Sequence, residues 1–364
     1  MATTEQLQAR YAPSEVHQIP MDRQLHCVRF SPCGKYLIGG DFDAKLRRFA
    51  VDGEEPFTEL PPVAGHHGGW LQPIEFTSEG GVMLTADSWG RISAWSYDEE
   101  TPQLKWTKEA AHDGWVRMLS ISPDGKHVAS CGIDKTVRLW STADGELKQE
   151  FSGHQHDVLS VRFHPRGEFL VSGDLYGVIK KWDAAGGECV GEFDASTLFL
   201  YDRLQDIGGV WAMAFDKEGK TLAAAGTKPD HGGTVQGVPT TLLFEFESGK
   251  LQHTLTMGAV KDCYVHDVLL HDDGFVVAVT SGTPGTGQLL LHKPGDEQPF
   301  FVSTKTANCH SLSLHPDGKR LAVVSTNKGS NGNGRRLNKD GEYEGNNSPI
   351  HIFQLPAAEQ PAAG

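Results

Sequence analysis

The sequence contains no apolar run approaching the ~18 residues that a membrane-crossing helix needs. Its opening stretch, MATTEQLQARYAPSEVHQIP, lacks the basic-then-apolar pattern of a secretory signal. The 6 cysteines, at positions 27, 33, 131, 189, 263 and 309, include no Cys-x-x-Cys pair. A disulfide framework and a haem attachment site are therefore not expected, and a reducing, cytoplasmic setting is. There is no Gly-Lys-Ser/Thr phosphate loop and no dinucleotide fingerprint between a strand and a helix, so no cofactor is expected. Basic residues are in deficit, 33 against 47 acidic, giving a formal charge of −14. That balance disfavours nucleic acid as a partner, because a duplex binder needs a basic stripe. The pairs Arg47–Arg48 and Arg335–Arg336 are expected to be solvated. No helical pattern of about a dozen residues runs through the centre of the chain.

What is present is repetition. The stretch SPDGKHVASCGIDKTVRLW, residues 122–140, has counterparts at 30–49, 76–95 and 163–182, with looser copies from Phe215, Leu270 and Leu314. The anchors Phe30, Phe76, Ile121, Phe163, Phe215, Leu270 and Leu314 are separated by 46, 45, 42, 52, 55 and 44 residues. Inside each copy short β-rich runs alternate with Gly, Asp and Pro, and a Pro-Asp-Gly type turn joins the first two runs. Four-stranded antiparallel sheets follow, one per copy. One such sheet cannot bury its own apolar face, and radial stacking solves this while protecting the strand edges. The fold class expected is all-β, a seven-bladed β-propeller. The last copy lacks a fourth strand of its own, and Glu15–Pro20 is expected to supply it. On this reading residues 1–13 are an N-terminal tail, 14–356 the propeller and 357–364 a C-terminal tail.

The repeats resemble those of the Trp-Asp (WD) repeat family of β-propellers. Gly153–His154 and Trp182–Asp183 match the family's Gly-His and Trp-Asp positions, Gly65–His66 goes with Trp95, and Ala111–His112 with Trp140. The likeness is strong over 26–193 and weak beyond Gly208. It implies a hydrogen-bonded His, Ser/Thr, Asp and Trp within a blade. Copy three supplies His112, Ser130, Asp134 and Trp140. Copy four supplies His154, Ser172 and Trp182, with Tyr176 at the Asp position. Copy two supplies His66, Thr85 and Trp95, with Trp89 there. Copy one has Asp43 but Phe49 for the Trp. These groups read as structural rather than as a nucleophilic triad, because a blade corner offers no oxyanion donors.

Function is sought on the face that carries the loops before each inner strand, the top. Long second corners fall there, at 226–240, 281–288 and 326–348. The residue four before each anchor faces the central opening: His26, Gln72, Arg117, Leu159, Trp211, His266 and His310. With Trp70, Trp115, Tyr264 and the corner residues Arg335 and Arg336, the set His26, Arg117, Trp211, His266 and His310 forms the candidate partner-binding residues, since aromatic residues and arginine dominate hot spots. Three of them, His26, His266 and His310, are also candidate metal ligands, with Cys27, Cys263 and Cys309 nearby. Asp41, Asp87 and Asp174 recur at the second corner and read as side chains bonded to their own turns. The function expected is a noncatalytic protein-protein interaction scaffold, as the resemblance implies. It binds a protein or peptide on the top face over blades 5, 6, 7 and 1, with no membrane partner. The alternative is a ligand- or metal-binding propeller, a hydrolase or lyase, using the channel histidines.

Overall fold

In the computed structural model the described residues are 3–63, 67–99, 101–231, 236–283, 285–326, 336–337, 343–344 and 347–356. They form seven four-stranded antiparallel blades in a ring, a seven-bladed β-propeller. Blades 1 to 6 each use consecutive strands, beginning at the inner strands Leu25–Phe30, Leu71–Phe76, Val116–Ile121, Val158–Phe163, Ala212–Phe215 and Tyr264–Leu270. Blade 7 takes three strands from the end of the chain, Ser311–Leu314, Arg320–Val324 and Ile350–Gln354, and its outer strand from Ser14–Ile19. The pairing is antiparallel, with Ile19 opposite Ile350 and Glu15 opposite Phe353.

The alternation within each strand explains the ring. Successive side chains point to opposite faces, so each blade feeds two neighbours. In blade 5, Leu222, Ala224, Leu242 and Phe244 pack against blade 4, while Ala223, Ala225 and Leu243 pack against blade 6. Every blade-to-blade interface holds an apolar layer of this kind. The layer between blades 7 and 1 joins Val324, Ile350 and Ile352 to Leu25, Val28 and Phe49, and takes in Ile19 from the closing strand. Burying a side chain of this size stabilises by about 1.5–3 kcal/mol. Polar bonds also cross that interface: Ser311 Oγ accepts from Val28 N at 3.2 Å, and Ser313 Oγ from Phe30 N at 2.9 Å. The bottom turns are tight, and Gly125 sits at φ +70°, where a side chain would be strained.

Several elements depart from the sequence reading. Residues 4–11, placed in an N-terminal tail, form a helix, Thr4–Tyr11, opened by a capping box between Thr3 and Gln6. Leu7 and Tyr11, four residues apart on one face, are buried with Phe275 and Phe300 on blade 6. An added hairpin, Phe199–Asp202 with Gln205–Gly208, lies between blades 4 and 5. The corner expected at 226–240 is a continuation of two strands, with Gly226 opposite Thr240 and Lys228 opposite Val238. Its Thr and Val residues favour a pleated ladder. In the corner at 326–348, Arg336–Leu337 pairs with Tyr343–Glu344, while Arg335 falls outside the described residues. Arg47 and Arg48 are not solvated: both are buried. Arg47 pairs with Glu59 at 2.6 Å and Asp22 at 2.9 Å, and the Arg48 guanidinium lies over the Tyr36 ring.

Candidate functional site: the channel mouth on the top face

The inner strands carry a recurring irregularity. In blades 1, 3, 4 and 6 the register slips by one residue near the top, leaving His26, Arg117, Leu159 and His266 without an opposite partner. Such a bulge re-aims a side chain. Here it turns one residue per blade into the channel, close to where counting back from the anchors places it.

The result is an aromatic collar. His26 stacks on Phe42 with centroids 4.0 Å apart and lies 5.6 Å from Trp70 and 6.0 Å from Trp115. Trp70 and Trp115 meet edge to face at 5.7 Å. The Arg117 guanidinium sits 4.3 Å from the Trp115 ring and 5.1 Å from Trp211, a cation between two indoles. Trp211 continues the collar to Tyr264 at 5.6 Å and to His266 at 5.8 Å. His26, Trp70, Trp115, Arg117, Trp211, Tyr264 and His266 are therefore brought together. His310 joins electrostatically, but its Nε2 and Nδ1 lie 2.6 Å and 3.0 Å from the carbonyls of Leu25 and Asn308. Burial, aided by the neighbouring His310 and Arg117, pushes His26 and His266 down to about 3. Burial lowers His310 as well. At neutral pH the His26 and His266 rings are uncharged.

One layer deeper the channel is ionic and paired. Arg29 Nη1 reaches Asp267 Oδ2 at 3.2 Å, and Arg162 Nη1 reaches Glu75 Oε1 at 2.9 Å. Both pairs join residues of non-adjacent blades, 1 with 6 and 4 with 2. Among the described residues no three His, Cys, Asp or Glu side chains are placed to hold a metal ion. Cys27, Cys263 and Cys309 are buried, and burial pushes Cys27 to about 11 and Cys309 to about 12, so these two thiols stay protonated.

The blade-corner networks sit apart from the channel. In blade 3, His112 Nδ1 donates to Asp134 at 2.9 Å, its Nε2 lies 2.7 Å from Ser130 Oγ, and Trp140 Nε1 donates to the same oxygen at 2.8 Å. The carboxylate can only accept, which fixes the tautomer and turns the serine hydrogen toward Nε2. Blade 4 repeats this with His154, Ser172 and Trp182, its acid being Asp174, 2.8 Å from His154. The Tyr176 side chain plays no part in that network; its hydroxyl donates to Asp206 at 2.9 Å. Blade 2 repeats it with His67, Thr85, Trp95 and Asp87. His66, the expected member, lies outside the described residues, and His67 takes the place. Spacing could have found it: His and Trp stand 28 residues apart at 112 and 140, 154 and 182, and 67 and 95. The other oxygen of Asp87 accepts from its own turn, from Trp89 N at 2.9 Å and Arg91 N at 3.1 Å. Asp41 Oδ1 and Asp174 Oδ1 do the same in blades 1 and 4. Burial, the largest single influence, would raise Asp87 and Asp134, but the bonds and charge of His67 and His112 together with backbone N–H donors outweigh it and hold both carboxyls below the usual range. Thr85, Ser130 and Ser172 have 0% exposure, so no substrate reaches these hydroxyls. A related set closes the seam: Ser325 Oγ lies 2.9 Å from His351, whose Nδ1 lies 2.7 Å from Glu15 of the N-terminal strand.

A ring of blades with a buried His, Ser/Thr, Asp and Trp network defines a WD-type β-propeller. Blades 3 and 4 match that pattern directly: the family model "WD domain, G-beta repeat" matches residues 104–141 and 145–183. Similar proteins include "Transcription initiation factor TFIID subunit 5" of Caenorhabditis elegans, 28% identical over 158 residues, 43% of this chain and 23% of that protein. "Periodic tryptophan protein 2" of Arabidopsis thaliana is 26% identical over 374 residues, 83% of this chain and 39% of that protein. "Eukaryotic translation initiation factor 3 subunit I" of Saccharomyces cerevisiae is 22% identical over 214 residues, 58% of this chain and 56% of that protein. The matches thus span less than two thirds of each of these relatives. No helix among the described residues is long and apolar enough to cross a membrane.

Proposed function

We propose that the ring is a noncatalytic scaffold that binds a protein or peptide on its top face, centred on the channel mouth. One observation carries this reading: among the described residues, the exposed large apolar side chains that do not belong to the outer strands gather at the corners of one end of the ring. Trp89 is 70% exposed, Leu204 on the added hairpin is 88% exposed, and Trp70, Ile133 and Tyr201 accompany them on the same face. Exposed aromatic residues around a rigid opening are the composition of a protein-binding hot spot. The extended corners of blades 5, 6 and 7, and His26 on blade 1, border the same face. Two relatives carry names that make them subunits of larger assemblies, which fits the same role here. The best acid-base sets in the fold are spent on holding tryptophans. Six free cysteines fit a reducing, cytoplasmic compartment.

The test is affinity capture with three forms of the protein. Trp89→Ser with Leu204→Ser changes only exposed side chains of the top face, and Lys126→Ser changes the bottom. The reading expects partner recovery from the wild type and the bottom variant, and loss from the top variant with an unchanged circular dichroism spectrum. Equal recovery from all three would refute it.

A further inference from the structure

Of the three arginines in the channel, two have carboxylates and one does not. Arg29 is paired with Asp267, and Arg162 with Glu75. Among the described residues Arg117 forms no ion pair; Asp157 influences it only at longer range. Its flat faces lie against Trp115 and Trp211. A guanidinium carries its donors at its edge, so stacking leaves them available. Two further polar atoms of the collar are buried without a hydrogen-bond partner, Trp115 Nε1 and His26 Nε2. Leaving a buried donor unsatisfied is costly, and such groups concentrate where a ligand completes them. The deeper layer is charge-balanced, which leaves one positive charge at the mouth of a chain whose formal total is −14.

We propose that the channel mouth is a receptor for one side-chain carboxylate, a Glu or Asp of the bound partner, with Arg117 as the ion-pairing anchor and Trp115 Nε1–H as the second donor. This rests on the top-face scaffold reading and gives it a partner chemistry. A carboxylate neutralises one guanidinium and matches its fork with two oxygens. A phosphate dianion would leave an uncompensated negative charge in a low-dielectric opening, because the collar histidines are neutral. The partner's backbone then lies across the top, where Trp70 and Trp89 receive its apolar neighbours.

The probe is a terminally blocked tripeptide, acetyl-Ala-Glu-Ala-amide, titrated into the isotopically labelled full chain. The Trp115 indole and Arg117 Nε–H resonances are followed. The isosteric Gln peptide and inorganic phosphate serve as comparisons. The expected result is a saturable shift with the Glu peptide, with the Gln peptide and phosphate each about tenfold weaker or more. Arg117→Gln should abolish the preference for Glu over Gln while the blade-corner tryptophan resonances stay in place. Equal shifts from both peptides, no shift from either, tighter binding of phosphate, or a preference that survives Arg117→Gln would each overturn the proposal. If Arg117→Gln fails to fold, the wild-type comparison of the two peptides decides. Partner capture that persists alongside such a negative result would discard the anchor and leave the scaffold reading standing.

Discussion

Replacing His26 and His266 together by Phe should make the ring resistant to mild acid. Both rings are set in the collar by bulges and contact aromatic neighbours, which Phe preserves. Burial first, and then the neighbouring His310 and Arg117, push each down to about 3, against about 6.5 in an unfolded chain. A folded value below the unfolded one means that the unfolded chain takes up the proton first. Stability is therefore fully present above about pH 6.5 and falls as pH drops toward about 3, by about 1.4 kcal/mol per pH unit for each ring. At pH 5 the two rings together cost about 4 kcal/mol, an upper figure because both border a water-accessible channel. Urea unfolding at pH 7 and pH 5 measures the loss in each form. The double variant should lose about 2–4 kcal/mol less than the wild type between the two conditions. His112, lowered by burial, contributes to both forms alike and cancels in the comparison. Equal losses in the two forms would refute the burial argument.

Other perturbations test the frame that holds the mouth. Trp140→Phe removes the donor to Ser130 and should destabilise by about 1–3 kcal/mol in denaturant, with Trp182→Phe similar; no change in either would deny the networks a structural role. Deleting residues 14–19 strips blade 7 of its outer strand and leaves Ile350–Gln354 as an open edge. Lower thermal stability and concentration-dependent association by light scattering are expected. Leu7→Ala should cost about 2 kcal/mol or more by emptying the contact with Phe275 and Phe300, read as faster proteolysis at Arg10; unchanged cleavage would show that the helix is not docked.

The repeat was legible because each blade must meet the same packing problem, so its anchors and turns recur. The closing strand was legible too, since blade 7 visibly lacked a fourth run and Glu15–Ile19 stood unassigned. In blades 1, 3, 4 and 6 the residue four before the anchor is the one the bulge leaves without an opposite partner. What sequence reading missed has local causes. His66 and His67 are adjacent, and only the 28-residue spacing to Trp95 separates them. The acid of the network occupies 174 in blade 4 but 134 in blade 3, because Gly132 stands where that Asp would be. The helix Thr4–Tyr11 has only two apolar anchors, Leu7 and Tyr11, too few for a periodic signal. Arg29 and Asp267 stand 238 positions apart, and only the closed ring makes them neighbours. The burial of Arg47 likewise depends on Asp22, which lies before the first blade.

The most direct test of the account is amide hydrogen exchange on the protein with and without its captured partner. Slowing is expected at 67–71, 87–91, 113–117 and 199–208, the top-face segments around the mouth. Slowing confined to the bottom turns at 122–126, 164–168 and 216–220, with the mouth unchanged, would contradict it.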